Sequence, residues 1–299
     1  MEFTDTRNEG GRDTCQPMHG SSPSTVIATR PDRQSAGLPI IGRHNTVLYV
    51  QPDLRDDKKG LINSIARGFD LVSNSVKELA DLPPDMVPVV GCQMELREIE
   101  EEWRRAGRTF VYWDRGYLNR GGKTWLKRSR GPEYFRWHVS TYQMDGLHPL
   151  ARADRFKRLA LEVKPWCRNG KRIIIAAPSE HYEKFHRIEG WVEKTLLAAQ
   201  KTKRPVSVRN KRSSVPLWRE LHDAYCLITH GSVAALEALV WGIPVIVDPS
   251  SAAAPVGRTS IEDIDNLAYP DRMPWLHSIA YSQYTADEIA DGTIWSLIR

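Results

Sequence analysis

Residues 227–250 read LITHGSVAALEALVWGIPVIVDPS. An apolar run halts at Thr229-His230-Gly231-Ser232. An Ala/Leu-rich segment with helical spacing follows, and Gly242-Ile243-Pro244 leads into a second apolar run. Strand, helix, strand is the repeating unit of a parallel α/β sheet. Gly231 lets backbone approach a ligand closely. Ser232 reads as an N-cap, and the N–H groups of Ser232, Val233 and Ala234 would point out of the helix start, where the dipole favours negative charge. The turn is a candidate anion site, with a diphosphate as the natural occupant and His230 as a donor to it. Glu237 lies more than a turn into an otherwise apolar helix. A buried carboxylate needs a partner; ribose hydroxyls are one, and a backbone group or an arginine is the plain alternative.

The same rhythm runs outward. Strand patterns at 46–52, 86–92 and 109–117 alternate with helical spacing at 60–82 and 95–107. It restarts with a helix at 153–163. Strands at 171–179, 205–210, 225–232 and 243–250 then alternate with helices at 191–203, 215–224 and 233–242. The expected fold class is α/β, with two Rossmann-like β/α/β lobes facing a cleft. Residues 1–44, rich in Gly, Ser, Thr, Asp, Arg and Pro, read as a disordered tail. The lobes are expected over 45–155 and 156–275, and a final helix over 276–299. Thr285 and Glu288 form a capping-box pattern on that helix, which could return to the first lobe.

Open α/β sheets bind ligands beyond the carboxyl ends of their strands. That rule adds Pro178 and Ser179, then Arg209 and Lys211, whose cations would neutralise phosphate. Ser250 and Ser251 open a small-residue loop after the last strand. In the first half, Asp114 ends the 109–117 strand and is the leading candidate for a general base. Its alternatives are a turn-forming role or an ion pair with Arg115. His138 and Asp145 are second choices, and His138, between Trp137 and Val139, equally fits a packed core.

The 299 residues carry a net charge of +5, and 41% are hydrophobic, enough for two cores. No apolar run approaches the ~20 residues of a membrane span, and no apolar signal region opens the chain. Cys15, Cys92, Cys167 and Cys226 are far apart and form no CxxC; three adjoin apolar runs and read as buried thiols. A cytoplasmic compartment and no metal site are expected. Basic residues concentrate at Arg115, Arg120, Lys123, Lys127, Arg128, Arg130 and Arg136, against Glu133 alone. Trp113, Tyr117, Trp125, Tyr134, Phe135 and Trp137 are interleaved with them. Basic and aromatic residues together hold phosphates and stack on bases or sugars. Arg115, Tyr117, Arg120, Lys123, Trp125, Lys127, Arg128 and Arg130 are therefore candidate contacts to a polyanionic acceptor, and a solvated basic loop is the alternative.

THGSVAALEALVWGIPVI resembles the donor motif of GT-B glycosyltransferases. The resemblance implies that His230, Gly231, Ser232 and Val233 hold a nucleotide diphosphate and that Glu237 holds the ribose. The spacing from Glu237 to Gly242 fits, while the loop before Glu237 is about one residue shorter than in plant-type and antibiotic-type members. It also implies a nucleotide-sugar co-substrate, UDP-glucose by analogy, with no tightly bound cofactor or metal. The 112–143 segment, with AYSQYTADEI near the end, is similar to the glycosyltransferases encoded by double-stranded DNA bacteriophages. That similarity implies transfer to a hydroxymethylated pyrimidine in double-stranded DNA, with the base flipped toward Asp114. Three other readings stand beside it: a transferase with a small-molecule, lipid or polysaccharide acceptor, a nucleotide-sugar epimerase, and a non-enzymatic nucleic-acid binder.

Overall fold

A computed structural model describes residues 40–53, 56–119 and 132–298, with the side chains of 56–58 left aside. Its strands are β1 (Thr46–Tyr49), β2 (Leu71–Ser73), β3 (Val87–Val90), β4 (Val111–Arg115), β5 (Tyr134–Val139), β6 (Arg172–Ala176), β7 (Val206–Arg209), β8 (Ala224–Thr229), β9 (Val245–Val247) and β10 (Gln283–Thr285). Its helices are α1 (Asp56–Ala66), α2 (Val76–Ala80), α3 (Arg97–Arg105), α4 (Ala153–Arg158), α5 (Glu180–His186), α6 (Trp191–Gln200), α7 (Leu217–Leu221), α8 (Ala234–Val240), α9 (Met273–Tyr281), α10 (Ala286–Ala290) and α11 (Thr293–Leu297).

Among the described residues, two sheets form. The first has the order β10-β5-β4-β3-β1-β2 and the second β7-β6-β8-β9. All neighbours in the second sheet are parallel, as are β4, β3, β1 and β2 in the first. Apolar clusters cover both faces of each sheet, which explains the near-continuous apolar runs of the central strands. One cluster is shared: Tyr117, Leu118, Tyr134 and Met144 pack with Phe156, Trp275 and Ile279. No helix among the described residues is long and apolar enough to cross a membrane.

Three sequence expectations change. The apolar spacing over 60–82 is not one helix. α1 stops at Ala66, and Gly68 turns the chain where an added Cβ would come within 2.9 Å of the Ile289 carbonyl carbon. Leu71 and Val72 then lie on the edge strand β2, and Ser75 caps α2 by accepting the Glu78 N–H at 3.2 Å. The basic-aromatic segment contains β5, which runs antiparallel to β4, so that Asp114 faces Arg136 and Tyr112 faces His138. The C-terminal residues form more than a helix. α9 belongs to the second sheet's core, after which β10 pairs antiparallel with β5 and returns the chain to the first sheet. The capping box is present at α10. Of the 1–44 segment only 40–44 lie within the described residues, and Arg43–Asn45 there form a 3-10 turn.

Arg155 secures the return. Its guanidinium is 7% exposed and donates to both Glu288 oxygens at 2.7 and 2.9 Å, and to the carbonyls of Ala280 and Gln283 at 3.0 and 2.8 Å. The Tyr281 and Tyr284 rings flank it at 5.6 and 5.3 Å. Arg155→Met should lower unfolding free energy by about 3–5 kcal/mol, because it leaves the Glu288 carboxylate without its cation. Urea unfolding reads the loss, and a change below ~1 kcal/mol would remove Arg155 as the fastener.

Candidate functional site

The carboxyl ends of β3 in the first sheet and β6 in the second come together. After β3, the Cys92 thiol lies 3.6 Å from His181 Nε2 on α5, the helix that follows β6. Arg97 donates to the Phe185 carbonyl, and Arg187 pairs with Glu98 at 3.1 Å. Gln143, in the loop after β5, is 5% exposed; it donates to the Gly231 carbonyl at 3.0 Å and accepts the Ala252 N–H at 3.0 Å. Strand alternation sends Tyr112, Asp114, Arg136 and His138 to one face of the first sheet and Val111, Trp113, Phe135 and Trp137 to the other.

Asp114 accepts from Arg136 Nη2 at 2.8 Å and from the Arg115 N–H at 2.7 Å. Its ion-pair partner is therefore the cross-strand arginine, and Arg115 instead reaches Glu133 at 3.6 Å. A carboxylate holding a buried guanidinium is committed to that charge, which argues against Asp114 as a free base. Arg136 is 7% exposed and lies 5.1 Å from the Tyr117 ring centroid. Burial opposes its charge, but Asp114, Tyr117 and Tyr112 outweigh burial and raise its pKa.

His138 Nε2 is 2.7 Å from the Tyr117 hydroxyl, which also accepts the Met144 N–H at 2.8 Å. Burial, then Arg136 and His148, push the His138 pKa well below its usual value. It is a neutral core histidine. Tyr117 is fully buried, so the expected acceptor contact at this residue is corrected: its ring packs inside the protein. Asp145 is exposed. Arg120, Lys123, Trp125, Lys127, Arg128 and Arg130 lie outside the described residues.

The donor candidates separate. Ser179 caps α5, accepting the Tyr182 N–H at 3.3 Å. Arg209 is paired with Glu220 at 2.8 Å, and Lys211 is exposed beyond β7. His230 and Gly231 are buried at the end of β8. Val233, not Ser232, occupies the N-cap of α8, while Ser232 Oγ accepts the Ala234 N–H at 3.2 Å. Glu237 is 7% exposed within α8. Ser250 donates to Asp248 through both N–H (2.9 Å) and Oγ–H (2.6 Å), and Ser251 is buried.

His230 is engaged on both ring nitrogens. Nε2 lies 3.5 Å from Asp248 Oδ2, and Nδ1 lies 3.3 Å from the Tyr182 hydroxyl. Burial lowers the His230 pKa, and Asp248 partly offsets it. The Asp248 carboxylate therefore stands beside the nitrogen that a phosphate would need. The His186 ring packs at a tilt against Tyr182, centroids 4.1 Å apart, its pKa pulled down to about 4 by burial, then by His230, Arg97 and Arg136, against Asp248. Sequence reasoning missed Tyr182, His186, Asp248, Arg136 and Gln143. The first two sit on α5, which it did not foresee, and Arg136 needed β5. Asp248 fell inside the strand expected over 243–250, whereas β9 ends at Val247.

No protein-family model matches the chain, and no curated protein matches it. Solved structures do. The beta Kdo 2,4 transferase KpsC of Thermosulfurimonas dismutans is 12% identical and aligns over 81% of this chain and 92% of its own, with a TM-score of 0.49. The beta Kdo 2,7 transferase KpsC of the same organism is 10% identical and aligns over 83% and 99%, with a TM-score of 0.45. Those transferase names belong to those proteins, and the site of this chain is built from its own residues.

Behind the junction, Glu100 on α3 is fully buried. Oε2 accepts the Tyr142 hydroxyl at 2.8 Å, while Oε1 is buried without a partner. Burial dominates and raises its pKa from 4.5 to about 7, against Tyr142, Arg104 and Arg97. A raised carboxyl pKa means that the folded state holds the proton longer than the unfolded chain. Stability therefore falls as pH rises from 4.5 toward 7 and levels off above. Glu100→Gln should remove that slope, gaining on the order of 3 kcal/mol on wild type between those limits. Thermal unfolding at a series of pH values checks it, and parallel profiles would clear Glu100.

Gly231 has little room. An added Cβ would overlap the Tyr182 hydroxyl and stand 2.6 Å from Gln143 Nε2. Gly231→Ala should displace both side chains and cost about 1–3 kcal/mol. Equilibrium unfolding measures the cost, and an unchanged Tyr182 position in the variant's crystal structure would refute the crowding.

Proposed function

We propose that the chain is a GT-B-type glycosyltransferase that takes a nucleotide sugar at the junction of its two sheets. One observation carries the reading: the carboxyl ends of β3 in the first sheet and β6 in the second converge, at the kind of edge where open α/β sheets bind ligands. The THGS turn supplies backbone at that edge, with Gly231 against Tyr182 and Gln143. Arg136 and Arg97 are cations at the junction, each held by a carboxylate, Asp114 and Glu101, from which a diphosphate would have to draw them. The base would come from residues at the same junction, and Asp114 would serve by holding Arg136 in place.

Double-stranded DNA carrying hydroxymethylpyrimidines is the acceptor implied by the resemblance to bacteriophage-encoded glycosyltransferases. Of its eight candidate contacts, Arg115 remains as an accessible one among the described residues. A polysaccharide is the alternative acceptor. UDP-, GDP-, CDP- and ADP-sugars should be incubated with the protein and with each acceptor or none. Nucleotide release from one donor is expected. Label appearing in DNA, with salt-dependent binding, would establish the DNA acceptor. Label in polysaccharide would establish the alternative. No release from any donor, with no nucleotide binding by calorimetry, would overturn the reading.

A further inference from the structure

Tyr182, His230 and Asp248 form a chain of three proton-handling groups at adjacent strand ends of the second sheet. Tyr182 stands on the first turns of α5, just beyond β6; His230 ends β8; Asp248 follows β9. Asp248 is itself fixed. Its N–H donates to the His230 carbonyl at 3.0 Å, and its Oδ1 accepts from Ser250 N–H and Oγ–H. That leaves Oδ2 toward His230 Nε2 at 3.5 Å. A carboxylate beside Nε2 favours the tautomer that carries the proton on that nitrogen. Nδ1 is then an acceptor, and the Tyr182 hydroxyl at 3.3 Å donates to it. Gly231 makes the approach possible, because any side chain there would occupy the space of the hydroxyl.

We infer that Tyr182, His230 and Asp248 are a proton relay that takes the acceptor's proton during transfer. This rests on the glycosyl-transfer reading above. As the acceptor hydroxyl oxygen bonds to the anomeric carbon, the carbon–phosphate oxygen bond breaks and its electron pair leaves with the diphosphate. The acceptor proton passes to the Tyr182 oxygen, and the Tyr182 proton passes to His230 Nδ1. The resulting imidazolium is stabilised by Asp248, and no further reactant is needed. Tyr182 touches the acceptor and His230 holds the proton, whereas Asp248 is a positioning residue that sets the tautomer. The titratable groups around His230 are Asp248 beyond β9 and Tyr182 and His186 on α5; the Arg136 and Arg97 cations also face His186. His230 must be neutral to accept. Burial keeps it so below its ordinary range, and Asp248 opposes that shift. Asp248→Asn should therefore move the acid limb of the rate profile to lower pH while reducing kcat.

Two measurements on the full chain test the relay. Nitrogen-15 NMR of histidine-labelled protein should show His230 protonated on Nε2 and bare on Nδ1; a proton on Nδ1 in the wild type would overturn it. Kinetics then use whichever nucleotide sugar of the panel is turned over. Tyr182→Phe should lower kcat by about 100-fold or more with the donor KM unchanged. Turnover by wild type with kcat held within about threefold in Tyr182→Phe would sink the relay and leave the transferase reading standing. If wild type turns over no donor, transfer itself falls, and the relay's role in it falls too. An Asp248→Asn acid limb that stays in place would reduce Asp248 to a structural residue and overturn its part.

Discussion

The buried Arg155–Glu288 pair is the constraint on which the architecture turns. Arg155 sits on α4, where the chain enters the second sheet, and Glu288 sits on α10, after it has left. Joining them brings the outgoing and returning passes together. Glu288 also closes the Thr285 capping box, so one carboxylate fixes a helix start and neutralises a buried guanidinium. Gln283, fully buried beside the pair, accepts the Leu118 N–H and ties β10 to the segment after β4. The shared core from Tyr117 to Trp275 lies next to this fastening. A buried ion pair contributes little net energy over an apolar pair of the same shape, but it is strongly specific for one arrangement.

The junction follows from that fixed relation. Its polar groups come in opposed sets: Asp114 with Arg136 on one side, Asp248 with His230 on the other. Burial penalises charge throughout, so the histidines stay neutral and the tyrosines stay protonated. Charge survives where a partner is built in, as at Arg136.

Much of the second sheet was legible in sequence, because β6, β8 and β9 are buried on both faces and read as uninterrupted apolar runs. The first sheet was less so. β5 alternates aromatic with basic or histidine residues, a pattern shared by a solvated basic loop, and only its pairing with β4 and β10 distinguishes them. β2 was hidden inside a helical period because Val72 falls at helical spacing, while both Leu71 and Val72 are exposed on an edge strand. In the site, His230, Gly231 and Asp114 were legible as strand-end residues. Their partners were not, since Arg136, Tyr182 and Asp248 are joined to them only through tertiary packing. The reading of Tyr117 as a surface aromatic failed for the same reason: composition cannot say which way a ring points.

The return of β10 has a bearing on biogenesis. Its register sets Gln283 opposite Arg136, so the outer edge of the first sheet is completed by residues made long after the rest of that sheet. Until they emerge from the ribosome, β5 presents an unpaired edge carrying Phe135 and Trp137, the kind of surface that invites wrong partners. Contacts so distant along the chain also slow folding, because the loop between them must close first. The nascent protein therefore has a prolonged window of exposure, in which the first sheet awaits its last strand and general chaperones have most to hold.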